Sequence, residues 1–168
     1  ISEEVAGATL LRGLTAEYLL HRLYAVQAGD AVLVHAAAGG MGVILSQWAR
    51  ALGATVIGTV GSQAKKEIAL AHGCHHVIDY RREDFAARTL ALTQQRGVAV
   101  VYDAVGKDVF LPSLECLRPM GMAINYGTAS GDVAAFDLQR LHAKSLIVSR
   151  PTLRTFISEP QDLRRAGA

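Results

Sequence analysis

The sequence has 168 residues, 51% hydrophobic and 19% charged, with 17 Lys and Arg against 15 Asp and Glu for a net charge of +2. That composition excludes a disordered chain, and a near-balanced charge with no basic run gives no electrostatic case for nucleic acid. No 18-residue apolar run occurs, which argues against a membrane span. The length suits one domain with a substantial core. The chain begins at Ile1 without an initiator Met and stops in the polar run Gln161-Asp162-Leu163-Arg164-Arg165, so both ends read as cuts in something longer. Cys74 and Cys116 sit in unrelated contexts, which fits reduced thiols and a cytoplasmic setting.

Strands and helices alternate along the chain. Residues 3–25 are expected to be helical: Glu3 and Glu4 favour a helix start, and Leu10, Leu11, Leu14, Leu19 and Leu20 recur at helical spacing. After the turn at 27–30, residues 31–35 form an unbroken apolar run, as in a strand buried on both faces. A helix over 41–52 is stopped by Gly53. A second buried strand spans 55–60, and a helix over 64–72 is stopped by Gly73. A short third strand follows at 76–79, a helix at 83–95, a fourth strand at 98–103 and a helix at 108–117 that ends near Pro119. Residues 122–125 and 146–148 read as the fifth and sixth strands. This alternation predicts an α/β fold: a doubly wound, mostly parallel six-stranded sheet with helices on both faces. In such sheets ligands bind beyond the carboxyl ends of the strands.

The first strand runs into Ala36-Ala37-Ala38-Gly39-Gly40-Met41-Gly42 and then a helix. A strand–glycine loop–helix unit of this kind is the Rossmann fingerprint of a dinucleotide site. Gly39 is expected to take a positive φ in the sharp turn, Gly40 to let a pyrophosphate approach the backbone, and Gly42 to let helix and strand pack closely. The helix N-terminus offers free N–H groups and a positive dipole end to the phosphates. No Gly-Lys-Ser/Thr follows, which excludes a nucleoside-triphosphate loop. The chain holds no Tyr-x-x-x-Lys dyad, which argues against a short-chain dehydrogenase. About 20 residues on, an NAD site places an acid for the ribose 2′-hydroxyl. Here that stretch is Thr59-Val60-Gly61-Ser62-Gln63-Ala64-Lys65, with no acid before Glu67. Lys65 attracts a 2′-phosphate and Ser62 can donate to it, so the cofactor reads as NADPH. Tyr80, at the end of the third strand, is placed to join the adenosine end.

Ala36 to Gly42, Gln47-Trp48-Ala49-Arg50-Ala51-Leu52-Gly53-Ala54 and Gly58-Thr59-Val60-Gly61 together resemble the NADPH:quinone oxidoreductases, the zinc-free branch of the medium-chain dehydrogenase/reductase superfamily. Leu11-Arg12-Gly13-Leu14-Thr15-Ala16, Val101 to Gly106, Asn125-Tyr126-Gly127 and Ser149-Arg150-Pro151 match the same pattern in order. The resemblance covers essentially the whole chain; Met41 stands where the family usually has Val. It implies a separate N-terminal domain with a barrel-like β core, absent here, and an active cleft between the two domains. It places Thr15 near the nicotinamide, Lys65 and Tyr80 at the 2′-phosphate, Tyr126, Gly127 and Thr128 beside the nicotinamide, and Ser149 and Arg150 farther along that wall. It carries no catalytic metal and names no acid or base in this chain. The implied function is hydride transfer from NADPH to a quinone or related conjugated carbonyl. The alternatives are an enoyl or alkenal reductase on the same scaffold and a non-catalytic dinucleotide-binding protein.

Three features are set aside. His72-Gly73-Cys74-His75-His76 offers metal-ligating side chains, but adjacent strand residues point to opposite faces. Asp103 is read as strand-end structure and Cys116 as core. The sixth strand, Leu146-Ile147-Val148, lacks the proline or inward charge that guards an edge, so a homodimer through that strand is expected.

Overall fold

The computed structural model describes residues 2–166. Six parallel strands form one sheet: β1 (Ala31–Val34), β2 (Thr55–Val60), β3 (His76–Asp79), β4 (Val98–Asp103), β5 (Leu117–Asn125) and β6 (Ile147–Ser149). Their order is β3-β2-β1-β4-β5-β6, so the winding reverses between β1 and β4. The crevice at such a reversal is where doubly wound sheets bind ligands.

The period of two along each strand explains the layers. Val32 and Val34 of β1 face one core with Leu45 and Ala49, while Leu33 faces another with Phe110 and Leu114. All three β1 side chains are fully buried, each contributing about 1.5–3 kcal/mol through removal from water. The first core lies under α1 (Glu3–Glu17), α2 (Gly40–Ala51) and α3 (Gln63–Ala71); the second lies under α4 (Phe85–Leu92) and α5 (Phe110–Cys116). Gly53 (φ 86°) and Gly73 (φ 107°) follow α2 and α3 in the left-handed region, the helix stops expected of them.

Several boundaries differ from the sequence reading. The expected helix 3–25 is α1 followed by a π-helical turn, Tyr18–Leu23. Apolar spacing does not announce the change, because Tyr18, Leu19 and Leu20, all buried, fall in the π-helical turn. The helix expected at 83–95 is limited to 85–92: Asp84 caps its start through Ala86 and Ala87 N–H, and Gln94 and Gln95 turn to positive φ. β5 begins earlier than expected, at Leu117, with a register shift against β4 that accommodates Pro119. β6 reaches only Met122, so the proline interrupts no ladder there. β6 is also displaced by one residue: Leu146 donates its N–H to Leu141 at the end of α6 (Gln139–His142) and is buried before the strand begins. Two more short helices, α7 (Leu153–Phe156) and α8 (Pro160–Ala166), were not expected. Phe156 stacks on Tyr18 at 4.2 Å, and its carbonyl accepts from Arg22 at 2.8 Å, so the C-terminal segment returns onto the π-helical turn.

Candidate functional site

The glycine loop turns differently from the way its sequence suggests. Gly39 has φ −79°, ordinary extended backbone, and the left-handed residue is Ala36 at φ 52°. The Gly39 N–H closes that turn on the Ala36 carbonyl at 2.8 Å. Gly39 is small for a steric reason instead: a Cβ there would fall 3.1 Å from the Ala36 oxygen. Gly42 does what was expected of it. A Cβ on it would lie on the Ala36 carbonyl and 2.7 Å from Ala37 Cα, so the start of the helix approaches the end of the strand this closely only with glycine there. Gly39 has no side chain to cap α2, and the first N–H groups of a helix have no partner within it. Over Gly40 lies the guanidinium of Arg12, with Nε 2.9 Å from where a Cβ would stand.

His35, between β1 and the loop, is fully buried and bridges the two sides of the crevice. Its Nδ1 is 2.8 Å from Thr59 Oγ1 and its Nε2 is 2.8 Å from Ser113 Oγ. Ser113 donates its own proton to the Val109 carbonyl at 2.6 Å. Nε2 must therefore donate, leaving Nδ1 to accept from Thr59. Burial lowers the imidazole from 6.5 to about 3, so it is neutral.

Beside the loop, a 150 Å³ pocket crosses the crevice. Gly39, Gly61, Lys65, Tyr80 and Val105 line it, from four different strand ends. Ser62 caps α3, accepting the Lys65 N–H at 3.4 Å. The Tyr80 hydroxyl sits against Gly61, where a Cβ would be only 2.5 Å away. No carboxylate lines this pocket. The Asp79 carboxylate instead accepts from Arg81 N–H at 3.1 Å and pairs with Arg82 at 3.7 Å.

Two larger pockets open beyond β5 and β6. One, of 460 Å³, is lined by Thr15, Tyr18, Tyr126, Arg150 and residues 151–153; the other, of 540 Å³, by Asn125, Asp132, Phe136, Ser149 and Arg150 among others. Arg150 borders both and donates to the Asn125 carbonyl at 3.1 Å. The Tyr126 hydroxyl is buried with no hydrogen-bond partner among the described residues, and burial raises its pKa. Asp103 ties the loops together. It accepts from Val105 and Gly106 N–H at 2.7 and 2.9 Å and from the Asn125 amide at 2.9 Å. That amide also reaches the Gly127 carbonyl at 2.8 Å. Burial pushes the Asp103 carboxyl up, and these donors and Arg150 pull against it.

This arrangement has close counterparts. Residues 40–166 match the zinc-binding dehydrogenase family. The chain belongs to that family. It is 46% identical over 165 residues to a quinone oxidoreductase of Pseudomonas aeruginosa, covering 98% of this chain and 51% of that protein. It is 49% identical over 156 residues to a 2-haloacrylate reductase of a Burkholderia species, covering 92% of this chain and 47% of the relative. The crystal structure of Escherichia coli quinone oxidoreductase complexed with NADPH superposes with a TM-score of 0.95 at 45% identity, covering 99% of this chain and 52% of that one. The chain thus spans about half the length of the relatives it matches. The doubly wound fold and the family read from its motifs both hold.

Of the residues expected at the site, the fold brings Gly39, Gly61, Lys65 and Tyr80 to one pocket, and Thr15, Tyr126 and Arg150 to another. Ser149 lines only the third. Met41 turns into the first core, and Gly40 and Gly42 are covered by Arg12 and by β1's own turn. Gly127 and Thr128 pack on the 104–106 loop, as the close approaches at Gly127 and Gly106 show. Arg12 and His35 were not expected here. The aspartate of Asp103-Ala104-Val105-Gly106, set to receive its loop's own N–H groups, was a readable signal for the loop network. The expectation that Cys116 is core holds: it is fully buried. Among the described residues no three His, Cys, Asp or Glu side chains converge on a metal position. His72 is held by Gln47 at 3.0 Å and His75 accepts from Val56 N–H at 3.0 Å. No helix of the described residues is long and apolar enough to cross a membrane.

Proposed function

We propose that this chain is the NADPH-binding domain of an oxidoreductase that passes hydride to a quinone or related conjugated carbonyl. The observation that carries the reading is the pocket of Lys65, Tyr80, Gly61 and Gly39, which faces a cation and a phenol and has no acid. A 2′-phosphate fits that chemistry, and a bare ribose diol lacks the carboxylate that would hold it. The glycine loop suits the same cofactor, since the uncapped start of α2 offers its N–H groups to a pyrophosphate. The NADPH in the E. coli relative supports this choice.

When bound, NADPH supplies the hydride; this chain's residues position it. In this reading Gly39, Gly40, Met41 and Gly42 give backbone to the pyrophosphate. Lys65, Ser62 and Tyr80 hold the 2′-phosphate, with Gly61 keeping room for the Tyr80 hydroxyl. Thr15, Tyr126, Gly127 and Thr128 border the nicotinamide, and Ser149 and Arg150 extend that wall. The second domain of the cleft is proposed to cover the exposed Leu10 and Leu11 of α1. The β6 edge is the proposed homodimer contact, and the separate buried thiols of Cys74 and Cys116 support a cytoplasmic setting. The 2-haloacrylate reductase relative favours one second reading, an acceptor that is a conjugated acid rather than a quinone.

The test is cofactor choice. Lys65→Ala should weaken NADPH binding about tenfold or more, the scale of a charged hydrogen bond, and leave NADH nearly unchanged. Titration of both cofactors by calorimetry decides it; equal effects on the two would remove the 2′-phosphate assignment.

A further inference from the structure

We propose that Arg12 is a phosphate-binding residue of the dinucleotide site, clamping the pyrophosphate from the α1 side. The inference rests on the NADPH reading above and adds a residue to it. Arg12 comes from a helix outside the strand–loop–helix unit, yet its guanidinium lies flat over Gly40, with Nε, Cζ and Nη2 at 2.9, 3.0 and 3.2 Å from the position of a Cβ. Gly40 is the first residue of α2, so the guanidinium and the positive end of a 12-residue helix meet at one point. Their potentials add there. A guanidinium presents a fork of donors matched to two phosphate oxygens, and the helix start presents backbone N–H groups to the same anion.

A second observation puts Arg12 along the line a dinucleotide would take. Thr15 is three residues later, on the same face of α1, and it lines the 460 Å³ pocket with Tyr18 and Tyr126. On the other side of the loop is the pocket of Gly39, Lys65 and Tyr80. Arg12 therefore stands between a pocket suited to a 2′-phosphate and one suited to the far end of the cofactor, where the pyrophosphate must lie. This also changes the account of Gly40. Its missing side chain admits the guanidinium, and any side chain there would displace it.

The experiment is a titration of NADPH, NADH and adenosine 2′-monophosphate into the wild-type chain, Arg12→Met, Arg12→Lys and Lys65→Ala. Arg12→Met should weaken NADPH and NADH by a common factor of about ten. It should leave adenosine 2′-monophosphate unchanged, because that ligand has no pyrophosphate. Arg12→Lys should recover part of the loss. Lys65→Ala should show the opposite pattern, losing NADPH and adenosine 2′-monophosphate but not NADH. Arg12 is exposed, and thermal unfolding of Arg12→Met beside wild type separates a loss of binding from a loss of fold. The proposal is overturned if Arg12→Met binds both dinucleotides as wild type does, if it loses NADPH alone, or if it loses all three ligands together as a structural defect would. A wild-type chain that binds neither dinucleotide removes the NADPH reading itself and this proposal with it.

Discussion

The residue that joins most of the crevice is His35, which carries no charge. Its two ring nitrogens connect the end of β1 to β2 through Thr59 and to α5 through Ser113, and its ring packs T-shaped with Phe85. Protonation would leave a buried cation without a counter-charge, since burial is the only cause of its low pKa of about 3. The unfolded imidazole titrates at 6.5. The folded value lies below it, so the stabilising contribution is complete above pH 6.5 and is lost as pH falls from 6.5 towards 3. In that window the wild type should lose about 1.4 kcal/mol per pH unit more than His35→Gln, which has nothing to titrate. Urea unfolding of both proteins at pH 7, 5.5 and 4.5 measures the difference; parallel pH dependences would show that the imidazole takes up its proton without opening the core. Nothing local in the sequence announces this bridge, because Ser113 lies 78 residues away. That Lys65 and Tyr80 would share a pocket with the glycine loop was legible, because one helix and one strand set their distance from it. Arg12 was not, since its place over Gly40 depends on how α1 crosses α2.

At the scale of elements, the central strands β1, β2 and β4 were legible from their apolar runs, as burial on both faces demands. The short helices after β5 were not: four-residue α6 and α7 carry too little periodicity to declare themselves, and α7 is fixed by a distant stack on Tyr18. The glycine pattern was legible as a motif, but its turn was assigned to the wrong residue, because Ala36 takes the left-handed conformation instead of Gly39. The β1–α2 junction should be the least tolerant point of the fold. Gly42→Ala would press a methyl group against the backbone of Ala36 and Ala37, with no flexible side chain to yield. The expected cost is about 1–3 kcal/mol, as for other overpacked sites, with weaker dinucleotide binding as α2 shifts. Thermal unfolding and NADPH titration of the variant check both effects; wild-type values in each would mean that the junction has slack.

For the whole molecule, the sheet ends on one side at β6, a strand of three residues paired only to β5. Its brevity is some protection, but Ile147 is 47% exposed on it. A two-fold match of identical edges is the simplest closed way to cover it. The chain should sediment as a dimer at micromolar concentration, and Ile147→Lys, which adds an edge charge, should shift it towards monomer with unchanged circular dichroism. A monomeric wild type would remove the dimer, and a dimer indifferent to the lysine would place the contact elsewhere.

The π-helical turn after α1 holds about one residue more than an α-helix would need for the same rotation. Removing one residue from Tyr18–Leu23 should therefore let the wide turn relax into α-helix with the helix before it nearly in phase, whereas removing two would rotate everything before it by about 100° about the axis. With two removed, Arg12 would leave Gly40 and Thr15 would leave its pocket, although neither residue had been altered. Homologous chains that keep the Arg12–Gly40 contact should therefore differ in length between Arg12 and Tyr24 by no more than that one residue.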